Sequence, residues 1–451
     1  MTSATMSALT LTGGIFLFVI SWLMLVCDIE PFPSWFYCFA WWSYIIVIDS
    51  WVFLRTGTSL LMRRTREFFF LLPVSVCIWL IFECINFSLK NWYYVNVVEI
   101  TPVRWIGYTI SFATVLPALF ETTELLESTA LLRAWRVWPR QFTPKQLRLS
   151  ICIGVVCLLL CISMPRYFFA LVWCGFILVL EPVNYRWGAP SLLRGWQHGS
   201  LRKPVLLMLA GLLCGIFWEL WNFWATTKWI YTVPFFDSFK LFEMTAPGFL
   251  GFIPFALECY AMTAFIYLLR NNYGWESDAW AVKRASLCSR PVKILLVLGG
   301  VCFCGAAFKG IDLITVDSLR SYVRDMPIIP REYQERLERC GVIMARDLLR
   351  LKDNPPEQQR TRACVAATSV ELASWIKAAE MVMLKGMGTR NFQILSRAGI
   401  TDVETLAQQD APVLRMNLEK LWRNDNHKDR IPDEAKIRVW ITAARRIRTA
   451  S

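Results

Sequence analysis

Two matching sets of carboxyl and amide side chains lie inside long apolar runs: Asp49, Glu83, Asn86 and Glu121, then Glu181, Glu219, Asn222 and Glu258. A carboxyl group inside a membrane-spanning helix costs at least ~2.5–3.5 kcal/mol, so each needs a partner, water or a task. Held as a neutral acid by apolar surroundings, a carboxyl can protonate an alkene. The faces of nearby aromatic rings then stabilise the cation by ~2 kcal/mol or more each when desolvated, and the chain has 22 Trp, 30 Phe and 13 Tyr. The same acids in file would instead carry protons or a solute across a membrane. The plainer reading is that they hydrogen-bond helix to helix and fix a bundle.

The two sets keep order and spacing. Asp49-Ser-Trp-Val-Phe-Leu-Arg-Thr-Gly-Thr-Ser-Leu-Leu61 aligns without a gap on Glu181-Pro-Val-Asn-Tyr-Arg-Trp-Gly-Ala-Pro-Ser-Leu-Leu193. Glu83-Cys-Ile-Asn86-Phe87 matches Glu219-Leu-Trp-Asn222-Phe223, Trp92-Tyr-Tyr94 matches Trp229-Ile-Tyr231, and Pro117-Ala-Leu-Phe-Glu121 matches Pro254-Phe-Ala-Leu-Glu258. A tandem duplication is expected. Glutamate and asparagine three residues apart share a helix face, so the amide can donate to the carboxyl. Pro117 and Pro254 are expected to kink their helices. The Trp/Tyr pairs are expected as anchors at the membrane–water interface.

The elements that position these residues follow from composition. The chain has 451 residues, is 55% hydrophobic and has a mean hydropathy of +0.40, too apolar for one soluble domain of that length. Apolar runs at 8–27, 35–54, 68–88, 105–126, 148–164, 167–185, 205–227, 244–269 and 294–314 can each approach the ~20 helical residues that cross a bilayer. The first lacks the basic start and small-residue cleavage site of a signal peptide. Basic residues cluster after spans two, four, six and eight, including Arg63, Arg64, Arg140, Arg202, Lys203, Lys283 and Arg284. By the positive-inside rule the N-terminus faces the cytoplasm. A ninth crossing, interrupted by Lys309 and Asp312, sends the remainder outside. Cys340 and Cys364 can pair there if their Cα atoms come within ~7 Å.

Charge becomes dense from Arg320 on, which marks a soluble domain. Only two histidines, His198 and His427, occur, which argues against a His-ligated metal and against a histidine base in the membrane. No cofactor is expected.

The stretch Phe217-Trp-Glu-Leu-Trp-Asn-Phe223, Trp229-Ile-Tyr231, Ile253-Pro-Phe255 somewhat resembles the small membrane-bound lycopene cyclase domains. That resemblance implies an isoprenoid substrate. The paired acids before that family's final helix are replaced by Ala246-Pro247-Gly248, so no catalytic residue is carried over. In the C-terminal part, Leu384-Lys385-Gly386-Met387-Gly388 opens a helix that ends at Arg397-Ala-Gly399-Ile400, with Thr401-Asp402 capping the next. Fifty-eight residues earlier, Pro327-Ile-Ile-Pro330 and Leu337-Glu-Arg-Cys-Gly341-Val342 keep the same register, and Trp375–Ala379 and Trp440–Ala444 close the two units. Residues 325–448 are similar to a bacterial domain-of-unknown-function family built of two helix-hairpin-helix repeats. The resemblance implies that Lys385, Gly386 and Gly388 contact a phosphate or a partner. Ile328 and Pro330 replace the glycines of the first copy, and the basic excess is modest. A protein partner is therefore expected ahead of nucleic acid.

The chain is accordingly read as an all-α, polytopic membrane helix bundle: repeat one at 1–147, repeat two at 148–293, a ninth helix and linker at 294–319, and a soluble double helix-hairpin-helix domain at 320–451. It is placed in an inner (cytoplasmic) membrane, in contact with lipid. The activity expected is that of a membrane-embedded enzyme acting on a lipid or isoprenoid. The alternatives are a proton-coupled transporter or channel and a scaffold with a docking domain.

Overall fold

A computed structural model describes residues 3–233, 239–270, 274–276, 288–425 and 431–450. Lys283, Arg284 and His427 lie outside the described residues. Apolar length dictates the dominant elements. Among the described residues, nine helical stretches are long and apolar enough to cross a membrane: Thr5–Val26, Phe32–Thr56, Thr65–Leu89, Thr101–Glu127, Pro144–Ser163, Pro165–Trp187, Arg202–Trp224, Ala246–Arg270 and Arg290–Ile314. Each coincides with an apolar run of the sequence, and the protein is all-α apart from short strand pairs.

In chain order the helices are α1 (Ser3–Val26), α2 (Phe32–Thr56), α3 (Thr65–Leu89), α4 (Thr101–Phe112), α5 (Val115–Glu127), α6 (Pro144–Ser163), α7 (Pro165–Phe168), α8 (Val172–Trp187), α9 (Leu192–Gln197), α10 (Arg202–Trp224), α11 (Phe252–Arg270) and α12 (Arg290–Ile314). Strands β1 (Trp92–Val95) and β2 (Lys228–Tyr231) pair with each other, as do β3 (Lys240–Leu241) and β4 (Met244–Thr245). Contacts divide the chain into two compact units. The first holds Met1–Lys90, Trp105–Thr226 and Phe235–Leu313; the second holds Asn91–Arg104, Thr227–Pro234 and Ile314–Ser451. Two loops that sequence boundaries assign to the membrane repeats thus fold with the C-terminal segment.

In the first unit α2 packs on α1 and α5, and α3 on α5; correspondingly, α8 packs on α6 and α11, and α10 on α11. Helix α10 also packs on α2 and α5. The expected proline kinks are not what the structure contains. The fourth span breaks at Ala113–Thr114, between α4 and α5, and Pro117 is the third residue of α5. Pro254 is likewise the third residue of α11, after a 3₁₀ turn at Ala246–Gly251. A proline there sacrifices no helical bond, because first-turn N–H groups have no partner within the helix. The break in the first half is stitched by Ser75, whose hydroxyl donates to the Phe112 carbonyl at 2.5 Å and accepts the Leu116 N–H at 3.1 Å. At the position matching Ser75 the second half has Gly211, where a Cβ would stand 2.3 Å from the Phe252 carbonyl oxygen. Asp312, which interrupts the last span, accepts bonds from Trp105 Nε1 at 2.9 Å and Tyr108 Oη at 3.1 Å.

In the second unit β1 and β2 are antiparallel, with Trp92 opposite Tyr231 and Tyr94 opposite Trp229. Residues 315–320 run parallel to β1: Tyr94 N–H donates to the Thr315 carbonyl at 2.7 Å and Asp317 N–H to the Tyr94 carbonyl at 2.9 Å. Trp92, Tyr94, Trp229 and Tyr231 are therefore strand residues, buried on β1 and half-buried on β2. The remaining helices are α13 (Arg331–Arg339), α14 (Ala345–Arg350), α15 (Pro355–Val365), α16 (Ser369–Val382), α17 (Gly388–Arg397), α18 (Val403–Ala407), α19 (Ala411–Asp425) and α20 (Glu434–Ala450). They share one apolar core with Trp375 and Trp440 at its centre. Helices α13 and α17 end alike. Gly341 and Gly399 take φ of 84° and 78°, and the next residue's N–H returns to Leu337 and Leu395 respectively, the turn for which glycine is favoured at a helix end. Asp402 caps α18 by accepting the Thr405 N–H at 2.7 Å. Cys340 and Cys364 form a disulfide with a Cα–Cα distance of 6.3 Å.

Candidate functional site

All eight residues singled out within the spans are buried in the first unit, Glu181 being 4% exposed and the others fully enclosed. Their partners divide them. Asp49, on α2, accepts the Ser59 hydroxyl at Oδ2 (2.9 Å) and the Leu61 N–H at Oδ1 (2.6 Å). Glu181, on α8, accepts the Ser191 hydroxyl at 2.5 Å and the Leu193 N–H at 2.9 Å. Each acid thus fastens the turn that follows its own helix, after a left-handed glycine at Gly57 or Gly188. This accounts for the spacing of acid and Ser-Leu-Leu in the aligned motifs.

Glu258 on α11 accepts the Phe176 N–H of α8 at 2.8 Å. Its counterpart Glu121 on α5 accepts no such bond at either oxygen; it faces Asp49, Glu124 and Arg64. Glu83 on α3 accepts the Trp79 indole N–H at 2.9 Å. Trp79 belongs to an aromatic cluster, with ring centroids 6.1 Å from Phe112 and 6.0 Å from Phe255. Phe82 and Trp173 each pack on Phe255 at 5.4–5.5 Å, and Trp218, next to Glu219, does so at 5.7 Å. Asn86 and Asn222 lie one turn beyond Glu83 and Glu219 on the same helices.

A charged group at one end of the helices escaped the sequence reading, which used these basic residues only for orientation. Arg64 donates to both oxygens of Glu124, at 2.7 and 2.6 Å, and to the Trp275 carbonyl. Lys203 pairs with Glu127 at 2.7 Å and with Glu276. Arg270 pairs with Glu67 at 2.6 Å. A visible signal was Glu124 itself, one turn after Glu121.

Lys385, Gly386 and Gly388 lie in the second unit at the start of α17. Gly386 takes φ of 75° and Gly388 of 61°. A Cβ on Gly386 would stand 2.6 Å from the Tyr93 ring, and one on Gly388 2.7 Å from Ser318 Cβ. The glycine turn is therefore seated on the chain's own sheet. Asn391 Nδ2 donates to the Gly386 carbonyl at 3.2 Å and to the Asp317 carbonyl at 3.3 Å. Lys436 pairs with Asp317 at 2.8 Å and stands 5.0 Å from the Tyr93 ring centroid. Burial pushes the Asp317 carboxyl above its ordinary range, and Lys436 offsets part of that rise.

Residues 327–447 match the family model of a domain of unknown function, DUF4332. No curated protein and no solved structure matches the chain.

Proposed function

We propose that the membrane unit is an enzyme that protonates an alkene-bearing lipid or isoprenoid, with Glu83 as the reacting acid. The observation that carries this reading is the bond from the Trp79 indole to Glu83, because the indole belongs to the cluster formed with Phe112 and Phe255. A carboxylic acid there gives its proton to one alkene carbon, and the positive charge forms on the other beside aromatic faces. Return of a proton from a neighbouring carbon to the Glu83 carboxylate restores a double bond and the neutral acid. The decisive experiment compares lipid extracts of cells expressing the wild type, Glu83→Gln and Glu219→Gln. A product that disappears in Glu83→Gln, with normal membrane insertion, supports the reading. Identical lipid profiles in wild type, variants and cells lacking the protein sink it. A second reading, proton-coupled transport of a small solute, draws on the acids around Arg64. Substrate-driven proton flux into proteoliposomes would support it.

We read the membrane unit as a tandem copy of one four-helix design. Support comes from the matched bonds of Asp49 and Glu181, the matched approach of Ser75 and Gly211 to a helix break, and a W-x-Y on W-x-Y pairing that is self-complementary. The C-terminal segment is read as two helix-hairpin-helix repeats, on the strength of the like endings of α13 and α17. It is placed outside an inner membrane. The loop after α3, the loop after α10 and the segment after α12 share one sheet, whereas the basic residues crowd the other loops. The Cys340–Cys364 bond suits that compartment. Seated on Tyr93 and Ser318, the glycine turn has little room for a phosphate, which disfavours nucleic acid. A reporter fused after Ser451 that is active only in the cytoplasm would overturn this placement.

A further inference from the structure

We propose that Glu121 is a proton-binding site, its carboxyl holding a titratable proton that it donates to the Asp49 carboxylate. Glu121 is completely buried on α5, and no N–H or hydroxyl donates to either of its oxygens. The carboxyl of Asp49, also fully buried, faces it. Both Asp49 oxygens already receive donors, from Ser59 and from the Leu61 N–H, so Asp49 is held as an acceptor. A contact between two acceptors is a hydrogen bond only when a proton lies between them. Two carboxylates side by side in a dry interior repel each other strongly, and the proton belongs to the member whose oxygens have no competing donors.

Arg64 does not remove this need. Its guanidinium faces the pair and binds both oxygens of Glu124 and the Trp275 carbonyl, while its buried Nε–H reaches no acceptor, the Glu121 and Asp49 oxygens included. Helices α2, α3 and α10 pack on α5. Besides Asp49 they present Tyr44 of α2, whose hydroxyl meets Thr122 at 2.8 Å, Ser75, which holds the helix break, and Cys214, which meets Thr122 at 3.4 Å. Lys203 of α10 lies toward Glu124 and is paired with Glu127 and Glu276.

One turn along α5, Glu124 lines a cavity with Thr123, Lys203, Tyr260 and Glu276, a space on the scale of about one water. In the second half the matching Glu258 differs in that one of its oxygens takes the Phe176 N–H. The site stands apart from the lipid chemistry proposed for Glu83.

Infrared spectroscopy of the full-length protein in lipid nanodiscs at neutral pH tests the assignment. The wild-type minus Glu121→Gln difference spectrum should contain the carbonyl band of a neutral carboxyl that shifts in D₂O. In Asp49→Asn that band should move, since its acceptor changes from a carboxylate to an amide. A difference spectrum without the band overturns the proposal, and so does an Asp49→Asn band at the wild-type frequency. Should Asp49→Asn fail to fold, Ser59→Ala removes one competing donor from Asp49 and must shift the same band, or the pairing is wrong.

Discussion

The two halves of the membrane unit carry the same acids at the same spacing and use them differently. Asp49 and Glu181 do one job, fastening a serine-led turn to the end of a helix. Glu121 and Glu258 part company. Glu258 accepts a backbone N–H, whereas Glu121 faces other acids beside an arginine already taken by Glu124. A residue type in a matched position therefore fixes burial but not role; the partners assign the role. The first half has Arg64 and Glu124, and at the aligned positions the second has Trp196 and Ala261.

The comparison can be broken most forcefully at Arg64. Arg64→Leu leaves Glu124, 14% exposed at its side chain, without its main counter-ion, and a loss of about 3–5 kcal/mol is expected. Arg194→Leu removes a bond to the Tyr185 carbonyl and a contact with the Tyr185 ring 5.8 Å away, strands no buried ion partner, and should cost about 0.5–1.5 kcal/mol. Chemical unfolding in mixed micelles measures both, and equal losses would erase the asymmetry. Next comes Glu258→Leu, which strands the Phe176 N–H at about 1–3 kcal/mol. Glu121→Leu removes the bond to Asp49 but strands no N–H, since Asp49 keeps the Ser59 and Leu61 donors, so it should cost less than Glu258→Leu. If Glu121→Leu proves the costlier, the partner assignment is wrong.

The shared feature predicts sameness. Ser59→Ala and Ser191→Ala should each lose about 0.5–2 kcal/mol, by equal amounts; Ser191 also caps α9. The smallest effect sharpens the matching comparison within the C-terminal segment. Burial raises the Asp402 carboxyl, but the Thr405 N–H and hydroxyl outweigh it and hold the group below its ordinary range. The stability it adds is present above the unfolded carboxyl's pKa and disappears as pH falls through the lowered folded value. Asp402→Asn should keep the cap and flatten that part of the pH–stability curve, read by thermal unfolding of the full chain.

Spans were legible because an apolar run of helical length is a local property, and the nine long apolar helical stretches fall where hydropathy points. The partners of the acids were legible only where they lie nearby. Ser59 and Leu61 stand within the motif that contains Asp49, although the motif reads as readily as a reactive site. Arg64 and Glu124 are separated by 60 residues and Lys203 and Glu127 by 76, so no window along the chain displays them together. The strands were missed for a related reason. Trp92–Val95 becomes a strand through pairing with residues 228–231 and 315–320, not through its own alternation. Pro117 was read as a kink because the helix break at Ala113–Thr114 is set by Ser75 on another helix.

The three-part sheet also orders biogenesis. Its strands come from the loop after α3, the loop after α10 and the segment after α12, so a ribosome delivers them in three widely spaced instalments. Until residue 320 has emerged, the β1 edge that it pairs with is open, and the seat on which Gly386 later settles, Tyr93 with Ser318, is incomplete. The C-terminal segment therefore matures only on a chain whose earlier helices have all been made, which turns the sheet into a checkpoint. Pulse-chase proteolysis of nascent chains should show residues 320–451 acquiring resistance after synthesis of the last span, and chains lacking β1 should never acquire it.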